Sequence, residues 1–429
     1  MNFITRSTAI LCMVLLTFSI GFANGVLQDA QAKYDAGEYK EAMEIIKPFV
    51  EDNPELPQAL IMAGKIYFKL GYIQEAKEFV DKSIELDRGN QEYRDVRNEM
   101  ASFATQVTEA IRAKRDGKYA EAEEAFAELL QVNPNFAEGH FQYAQVLLSL
   151  EKAKEGAEEL QKAMELRPEE EKYSQAAQMY VQKYLSEGNQ LLQRRAYDRA
   201  EKKFKQALIL DADQYMAHYL LARSYYAQRN YQKALEAVDN CIDIHEEYIK
   251  AYTVKGNIYV KMNKMQDALA TFREITEINP KYTSAWDKIG YIHYRMKNYD
   301  EAIPAYNEVI KLRPDYETPY ENLGVIYSEN KDWDKAIINL KKAAELSPEK
   351  ETVWYRLAAA YNAAEQARKA KKAAIQALEL KSNWAAALYE LGIAERRLGD
   401  KDAAKNAFRM AARDPKWKKS AEYELKSVQ

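Results

Sequence analysis

The sequence has 429 residues, of which 47% are hydrophobic and 30% are charged, and its formal net charge at pH 7 is -4. This composition excludes a protein with many membrane spans and a disordered chain, and the small net charge excludes the uniform basicity of a nucleic-acid binder. Only 15 glycines and 11 prolines are present, which argues against a β protein and predicts long helices with short connections.

The first segment, residues 1–23, has the pattern of a signal peptide. Arg6 is its only charged side chain, and an apolar run follows that ends at Ile20. Gly21 and Ala23 then supply the small residues that a signal-peptidase site requires. The apolar run is shorter than the roughly 20 residues of a membrane-spanning helix. We expect cleavage after Ala23 and export of the remaining chain.

Cysteine usage and glycosylation signals indicate the compartment. Cys12 lies in the signal segment, so Cys241 is the one cysteine left after cleavage, and the sequence contains no Asn-x-Ser/Thr acceptor. An exported chain with neither disulfides nor glycosylation sites is typical of the bacterial periplasm. We therefore expect a periplasmic protein, with secretion as the alternative.

A 34-residue period extends through most of the remaining sequence. It is clearest in small residues that recur 34 apart in its second half, and a second series of alanines follows each of them 12 residues later. Large apolar or aromatic residues recur at the fourth and seventeenth positions of each unit, and a proline stands near the end of several units. The first series is Gly188, Ala222, Gly256, Gly290, Gly324, Ala358 and Gly392.

This pattern resembles the tetratricopeptide repeat. The resemblance implies an all-α fold, a right-handed α-solenoid of about eleven 34-residue helix-turn-helix repeats. It places repeats one and two in residues 24–90, repeats three and four in 103–170, and repeats five to eleven in 181–418. The Gly or Ala at position 8 of each first helix is expected to face the Ala at position 20 of the second helix, because two helices approach closely only where side chains are small.

Three segments lie outside the repeats. The inserts 91–102 and 171–180 contain no Gly or Pro, so we expect them to lengthen the adjoining helix and to change the path of the superhelix. Residues 419–429 are expected to form a capping helix that covers the last repeat, with Tyr423 and Leu425 inward and Glu424 and Lys426 outward.

The sequence predicts no catalytic, cofactor or metal site. Its histidines fall at packing or helix-end positions, no two of them have a metal-binding helical spacing, and the usual hydrolase, metalloprotease and phosphate-loop motifs are missing. Cys241 occupies a position that is normally a small buried residue, so we expect an inert thiol. The four histidines are His140, His218, His245 and His293.

The concave groove is the surface on which the resemblance implies binding. It is lined by positions 2, 5, 9, 12 and 13 of each first helix, where core packing does not demand amides, aromatic rings or arginines. Tyrosine and arginine are enriched in binding hot spots, and asparagine can pair with both backbone groups of an extended peptide. The alternative is a solvated groove without a ligand. The candidate residues for binding a partner are Asn189, Tyr219, Arg223, Tyr226, Asn257, Lys261, Tyr291, Tyr294 and Arg295, with Asp287 beside them.

Charge is unevenly distributed along the chain. Residues 24–180 hold 19 Lys and Arg against 31 Asp and Glu, a net charge of -12. Residues 368–419 hold 14 against 6, a net charge of +8. This basic C-terminal end is either a solvated face or a contact for an anionic envelope surface or an acidic partner.

These observations predict a non-enzymatic scaffold of the bacterial cell envelope that binds a protein or peptide in its concave groove. The alternative is a structural or assembly subunit of an envelope machine for secretion, pilus, motor or polysaccharide export, acting through its ends and convex face. Neither hypothesis requires a cofactor or a nucleic acid.

Overall fold

A computed structural model describes residues 25–428 of the chain. Every regular element in this range is an α-helix, which confirms the predicted fold class. The predicted signal segment, residues 1–23, lies outside the described residues. The helices are α1 (residues 25–35), α2 (Tyr39–Asp52), α3 (Pro57–Lys69), α4 (Ile73–Leu86), α5 (Gln91–Arg115), α6 (Tyr119–Val132), α7 (Ala137–Ser149), α8 (Ala153–Leu166), α9 (Glu171–Gln193), α10 (Tyr197–Leu210), α11 (Tyr215–Ala227), α12 (Tyr231–Ile244), α13 (Ile249–Lys261), α14 (Met265–Ile278), α15 (Thr283–Arg295), α16 (Tyr299–Leu312), α17 (Glu317–Glu329), α18 (Trp333–Leu346), α19 (Glu351–Ala363), α20 (Ala367–Leu380), α21 (Ala385–Leu398), α22 (Lys401–Ala411) and α23 (Pro415–Ser427).

The helices pack as consecutive pairs, and the chain divides into two compact units. The N-terminal unit extends to Ala217, and the C-terminal unit begins at His218, inside α11. From α2 to α10 and from α12 to α23, each helix packs on the next helix in the chain. Among residues 25–428, no helix combines the length and apolar composition that a membrane crossing needs.

The close approach within a pair depends on a large side chain as well as on the small ones. A Cβ atom added to Gly188 would lie 2.5 Å from the ring of Phe204, and one added to Gly392 would lie 2.6 Å from Phe408. Phe204 and Phe408 stand at position 24 of their repeats and are fully buried. The small residue at position 8 therefore makes room chiefly for this ring, rather than for the alanine at position 20 as the sequence predicts.

The turn between the two helices of a repeat has one conformation throughout. The residue at position 15 has a positive φ in every repeat, and these residues keep the 34-residue spacing except where an insert intervenes. Glu365 of repeat ten has a φ of 59°, so this repeat keeps the common turn although its sequence departs most from the pattern. The series is Gly37, Gly71, Gly117, Glu151, Arg195, Arg229, Asn263, Lys297, Lys331, Glu365 and Gly399.

Two first helices are much longer than the others. Helix α5 has 25 residues and α9 has 23, whereas α3 has 13. The insert 91–102 forms the first half of α5, where Tyr93 and Met100 are buried, and the insert 171–180 begins α9, where Tyr173 is buried. At about 1.5 Å per residue, α5 is roughly 37 Å long, against about 20 Å for α3. The repeat that follows α5 is therefore displaced along the helix axis.

This displacement brings together loops that are distant in sequence. The Asn133 side chain, after α6, donates a hydrogen bond to the Phe68 carbonyl at the end of α3, with Nδ2 2.5 Å from the oxygen. Arg167, after α8, lies with its guanidinium carbon 3.3 Å from the centre of the Tyr72 ring, and its Nη2 is 3.5 Å from the Leu70 carbonyl. Repeat two thus contacts repeats three and four directly in the N-terminal unit.

The C-terminal cap is a helix with Leu425 inward and Lys426 outward as predicted, but Tyr423 and Glu424 were placed on the wrong faces. Helix α23 begins at Pro415 rather than at Lys419, and Tyr423 is 73% exposed. Glu424, expected outward, is largely buried and forms an ion pair with Arg396. The earlier start adds Trp417, whose ring centre lies 5.1 Å from that of Tyr389. This contact sets the inward stripe as Trp417, Ala421, Leu425 and Val428.

Candidate partner-binding groove

The candidate residues all lie on first helices. Asn189 is half-buried on α9 of the N-terminal unit. The other eight lie in the C-terminal unit, on α11, α13 and α15 of repeats six to eight. In this unit α19 contacts the first helices on both sides of it, α17 and α21, so the first helices form the inner layer. The structure thus places these eight candidate residues on the first helices of three consecutive repeats of one unit.

Repeat six carries a tyrosine and an arginine that support each other. The Arg223 guanidinium carbon lies 5.6 Å from the centre of the Tyr219 ring, which places a cation beside the aromatic ring. The Tyr248 ring holds Tyr219 from another side in a perpendicular contact, with ring centres 5.1 Å apart. Burial raises the pKa of Tyr219, so its hydroxyl stays protonated at neutral pH. Tyr226 packs near Tyr231, with ring centres 6.1 Å apart.

Repeat seven carries the unoccupied polar groups. Asn257 is half-buried on α13, and Lys261 is exposed in its last turn. Within residues 25–428, neither side chain forms a hydrogen bond or an ion pair with another residue. An amide that presents a donor and an acceptor can bind both groups of an extended peptide backbone. A free ammonium group can bind a carbonyl or a carboxylate.

In repeat eight, the candidate side chains form hydrogen bonds with one another and with repeat nine, unlike those of repeat seven. Arg295 Nη1 donates a hydrogen bond to the Tyr291 hydroxyl at 2.8 Å. The Tyr294 hydroxyl donates to Glu329 Oε1 at 3.3 Å, and the Tyr299 hydroxyl donates to the other oxygen of this carboxylate. The sequence analysis missed Glu329, although it stands at groove position 13 of repeat nine. Extending the groove positions by one repeat would have found it.

A carboxyl group lies in the floor of repeat eight. Asp287 is half-buried on α15, and its Oδ1 atom has no hydrogen-bond partner in the described part of the chain. Burial raises the pKa of this carboxyl group, and the charge of Glu317 raises it further against the opposing effect of Lys288. Tyr306, beneath it, is fully buried, and desolvation raises the pKa of its hydroxyl. This buried environment disfavours the ionised form of Asp287.

The next part of the inner layer is closed by ion pairs. Lys350 Nζ lies 2.6 Å from Glu317 Oε1 and 2.6 Å from Glu321 Oε2, and Arg356 Nε lies 3.3 Å from Glu321 Oε1. Glu321 is 8% exposed, so these partners neutralise a buried carboxylate. The polar groups of repeats nine and ten thus bind one another. Those of repeat seven remain available to a ligand.

His140, His293 and Cys241 are buried, so packing accounts for their positions. His140 is buried, with Nδ1 2.5 Å from Glu159 Oε2 and Nε2 2.8 Å from the Pro134 carbonyl. His293 is buried, and desolvation lowers its pKa. Burial raises the pKa of the Cys241 thiol to about 12. Among residues 25–428, no three His, Cys, Asp or Glu side chains are grouped so that they would hold a metal ion.

Comparisons with solved structures found partial matches, each with a TM-score below 0.5. MamA is 23% identical, with a TM-score of 0.36, over 38% of this chain and 94% of that one. YrrB, described as a TPR protein with an unusual peptide-binding site, is 17% identical, with a TM-score of 0.39, over 43% of this chain and 95% of that one. A tetratricopeptide repeat protein from Parabacteroides merdae is 14% identical, with a TM-score of 0.42, over 58% of this chain and 99% of that one. A comparison with curated proteins found no match.

Models of the tetratricopeptide repeat match most of the sequence. They match segments in both units, and together these segments cover more than half of the chain. The matched residues are 57–90, 107–171, 185–242, 249–282, 290–331, 318–350 and 386–416. With its paired helices and its common turn in every repeat, the chain belongs to the tetratricopeptide repeat family.

Proposed function

We propose that this protein is a non-enzymatic scaffold that binds a protein or peptide segment on the inner layer of repeats six to eight. One observation carries the proposal. Asn257 and Lys261 have no side-chain partner in the described chain, whereas the equivalent surface of repeats nine and ten is occupied by ion pairs. Polar groups that protein neighbours already use cannot serve a ligand without being released, so a ligand gains most at repeat seven.

The aromatic residues beside repeat seven supply the anchors. Tyr219 and Arg223 form an adjacent pair, and both residue types are enriched in the centres of interfaces. A peptide that crosses repeats six and seven would pack an apolar side chain on Tyr219 and pair its backbone with Asn257. A carbonyl or acidic side chain of the same segment would bind Lys261. The ligand we infer is therefore an extended segment with one large apolar residue.

Site-specific crosslinking tests this function. A photoreactive amino acid replaces Lys261 in one variant, and in the control it replaces Lys331, which is exposed at the turn between α17 and α18. Both variants are expressed in the native cell and irradiated. We expect a discrete protein adduct at residue 261 that residue 331 does not give. Equal adducts at both residues, or none at 261, would contradict the proposal.

We propose further that the chain is exported to the periplasm after cleavage of residues 1–23. The apolar run and the small residues that precede Asn24 support this. N-terminal sequencing of the protein from its native cell should give Asn24, or a residue within two positions of it, as the first residue. An intact Met1 on membrane-bound protein would contradict release into the periplasm.

The basic C-terminal end supports a second contact. Lys416, Lys418 and Lys419 on α23 are exposed, and none of them lies within 4.0 Å of a carboxylate in the described chain. An anionic envelope surface is the partner that this end would attract. Sedimentation with vesicles of phosphatidylglycerol should retain the protein at low salt, and a Lys416→Glu, Lys419→Glu variant should be lost from the pellet. The same retention by vesicles of neutral lipid would argue against a charge-based contact.

A further inference from the structure

A cavity on the other side of the inner layer lies outside the proposed groove. It has a volume of about 270 Å³ and lies between α18 and α20, above α19. Trp354, Leu357 and Tyr361 of α19 line it, together with Ala344 of α18 and Ala373 of α20. Trp354 Nε1 already donates to the Pro348 carbonyl at 2.8 Å, so the ring presents only apolar surface. Ala344, Leu357, Ala373 and the Trp354 ring therefore give the cavity an apolar interior, and the indole N–H of Trp354 already has a partner.

The cavity lies at a position where repeat nine has a small residue. Ala344 stands at position 28 of its repeat, where repeats six, eight and ten have Ile242, Ile310 and Leu378, while repeats seven and eleven have Thr276 and Ala412. The three large aliphatic side chains are partly buried and pack against the cores next to them. In repeat nine, Ala344 is too small to cover the surface of α19 below it. The space has the position and chemistry of a large aliphatic side chain.

The rim of the cavity is positively charged. Lys341, Lys369 and Lys372 line it and are exposed, and Glu345 is its only acidic residue. Glu345 Oε2 is 3.5 Å from Lys342 Nζ, so its charge is already balanced. Neither Lys341 nor Lys372 lies within 4.0 Å of a carboxylate in the part of the chain that the structure describes. Carboxylates of a ligand would meet three ammonium groups around an apolar opening.

We propose that this cavity binds one large apolar side chain of an acidic partner segment, a phenylalanine or leucine flanked by aspartate and glutamate. Its volume is below the roughly 300 Å³ at which pockets for whole small-molecule ligands begin, so a single side chain fits better than a complete cofactor. Burial of that side chain supplies affinity, and the lysine rim selects acidic sequence around it. The cavity lies in repeats nine and ten, so it acts independently of repeats six to eight.

A labelled peptide tests the proposal. The probe is fluorescein-Asp-Glu-Asp-Phe-Asp-Glu-Asp-amide, and its binding to the full chain is followed by fluorescence anisotropy. Ala344→Ile introduces the large aliphatic side chain that repeats six and eight carry at this position and fills the cavity. Ala412→Ile makes the same change at the same position of repeat eleven and is the matched control. We expect Ala344→Ile to weaken binding about tenfold or more and Ala412→Ile to leave it unchanged.

A second peptide, with alanine in place of phenylalanine, separates insertion from charge attraction. It should bind the wild-type chain about tenfold more weakly than the first peptide, and Ala344→Ile should weaken it no further. If circular dichroism shows that Ala344→Ile is unfolded, Lys369→Glu with Lys372→Glu replaces it, and the same loss is expected. Equal binding of both peptides, no binding of the first, or an unaffected cavity variant would overturn the proposal.

A combined variant distinguishes the cavity proposal from the groove proposal. The loss of affinity that Ala344→Ile causes should be the same in a chain that also carries Tyr219→Ala, Arg223→Ala and Asn257→Ala, because these residues lie in repeats six and seven. Sedimentation velocity tests a different occupant. Self-association of the wild-type chain that Ala344→Ile abolishes, without peptide binding, would assign the cavity to a second copy and contradict the acidic segment.

Discussion

At the scale of single residues, the inner layer differs from place to place in how far its polar groups are already used. Arg295 is bound to Tyr291, and Tyr294 is bound to Glu329. Asn257 and Lys261 have no such partner within residues 25–428. From the sequence alone, all of these residues are equal candidates for binding a partner. Their neighbours in the fold, rather than their chemistry, decide which of them a partner would contact first.

Asp287 provides a test of the electrostatics of this layer. Burial raises the pKa of its carboxyl group, so ionisation destabilises the folded state at pH values above the folded pKa, and this penalty disappears as the pH falls below the unfolded value. Asp287→Asn removes the charge and should stabilise the chain by roughly 1 kcal/mol at pH 7. The gain should vanish near pH 3. Urea unfolding at both pH values measures it.

The control for this change is Asp315→Asn, at an exposed residue of the loop between α16 and α17. It removes the same charge without relieving a buried group, so it should change stability by less than about 0.5 kcal/mol at either pH. A stabilisation by Asp287→Asn that is equal at pH 7 and pH 3 would mean that charge burial is not its cause.

Gly71 separates two costs of a side chain at a turn. Its φ is +77°, and a Cβ atom there would lie 2.8 Å from the Cα of Phe136. Gly117 has the same φ of +77° with nothing within 4 Å of the added atom. Gly117→Ala should cost about 1 kcal/mol for the left-handed backbone alone, and Gly71→Ala about 3 kcal/mol. Thermal unfolding of both variants gives the difference. Equal losses would show that the contact with Phe136 does not form.

At the scale of elements, the length of α5 decides which loops meet. The turn after α3 touches the loop after α6 only because the insert displaces the third repeat. Asn133→Ala removes one of the two hydrogen bonds that the Phe68 carbonyl accepts and leaves the bond from the Gly71 amide, so it should cost about 1 kcal/mol. Hydrogen exchange measured by mass spectrometry should show faster exchange in residues 68–72.

Asn53→Ala is the matched control for this contact. Asn53 Nδ2 donates to the Phe49 carbonyl at 2.9 Å within its own helix end, so its loss affects α2 only. Residues 68–72 should exchange as in the wild-type chain. If both variants accelerate exchange there equally, the effect of Asn133→Ala is a general loss of stability rather than the loss of this loop contact.

Helix pairing was predictable from the sequence because it depends on neighbours 12 to 24 residues apart, which the 34-residue period displays directly. The contact between Phe68 and Asn133 was not, since it requires the length and rigidity of α5. Tyr423 was placed on the wrong face because the cap was counted from Lys419, which omits Trp417. For the candidate groove, the repeat pattern predicts which helices carry the residues. Which side chains are free depends on partners such as Glu329, which stands in the next repeat.

At the scale of the whole molecule, stability should be distributed along the repeats. In a repeat protein each unit is stabilised by its own packing and by its neighbours, so a change in one part is felt weakly far away. Gly71→Ala should therefore speed hydrogen exchange in the N-terminal unit and leave α15–α18 of the C-terminal unit unchanged. Faster exchange by the same factor in both units would show that the chain unfolds as one block.

The central claim is that a partner binds the inner layer of repeats six to eight, and its most direct test is the affinity of the crosslinked partner for two triple variants. Tyr219→Ala, Arg223→Ala and Asn257→Ala together should weaken binding by at least about 2 kcal/mol, roughly thirtyfold, with unchanged helicity. The control changes Tyr423, Arg409 and Asn339 to alanine. These three residues are of the same types but lie outside this layer, so the control variant should bind as the wild type does. Equal affinity of both variants would contradict the account.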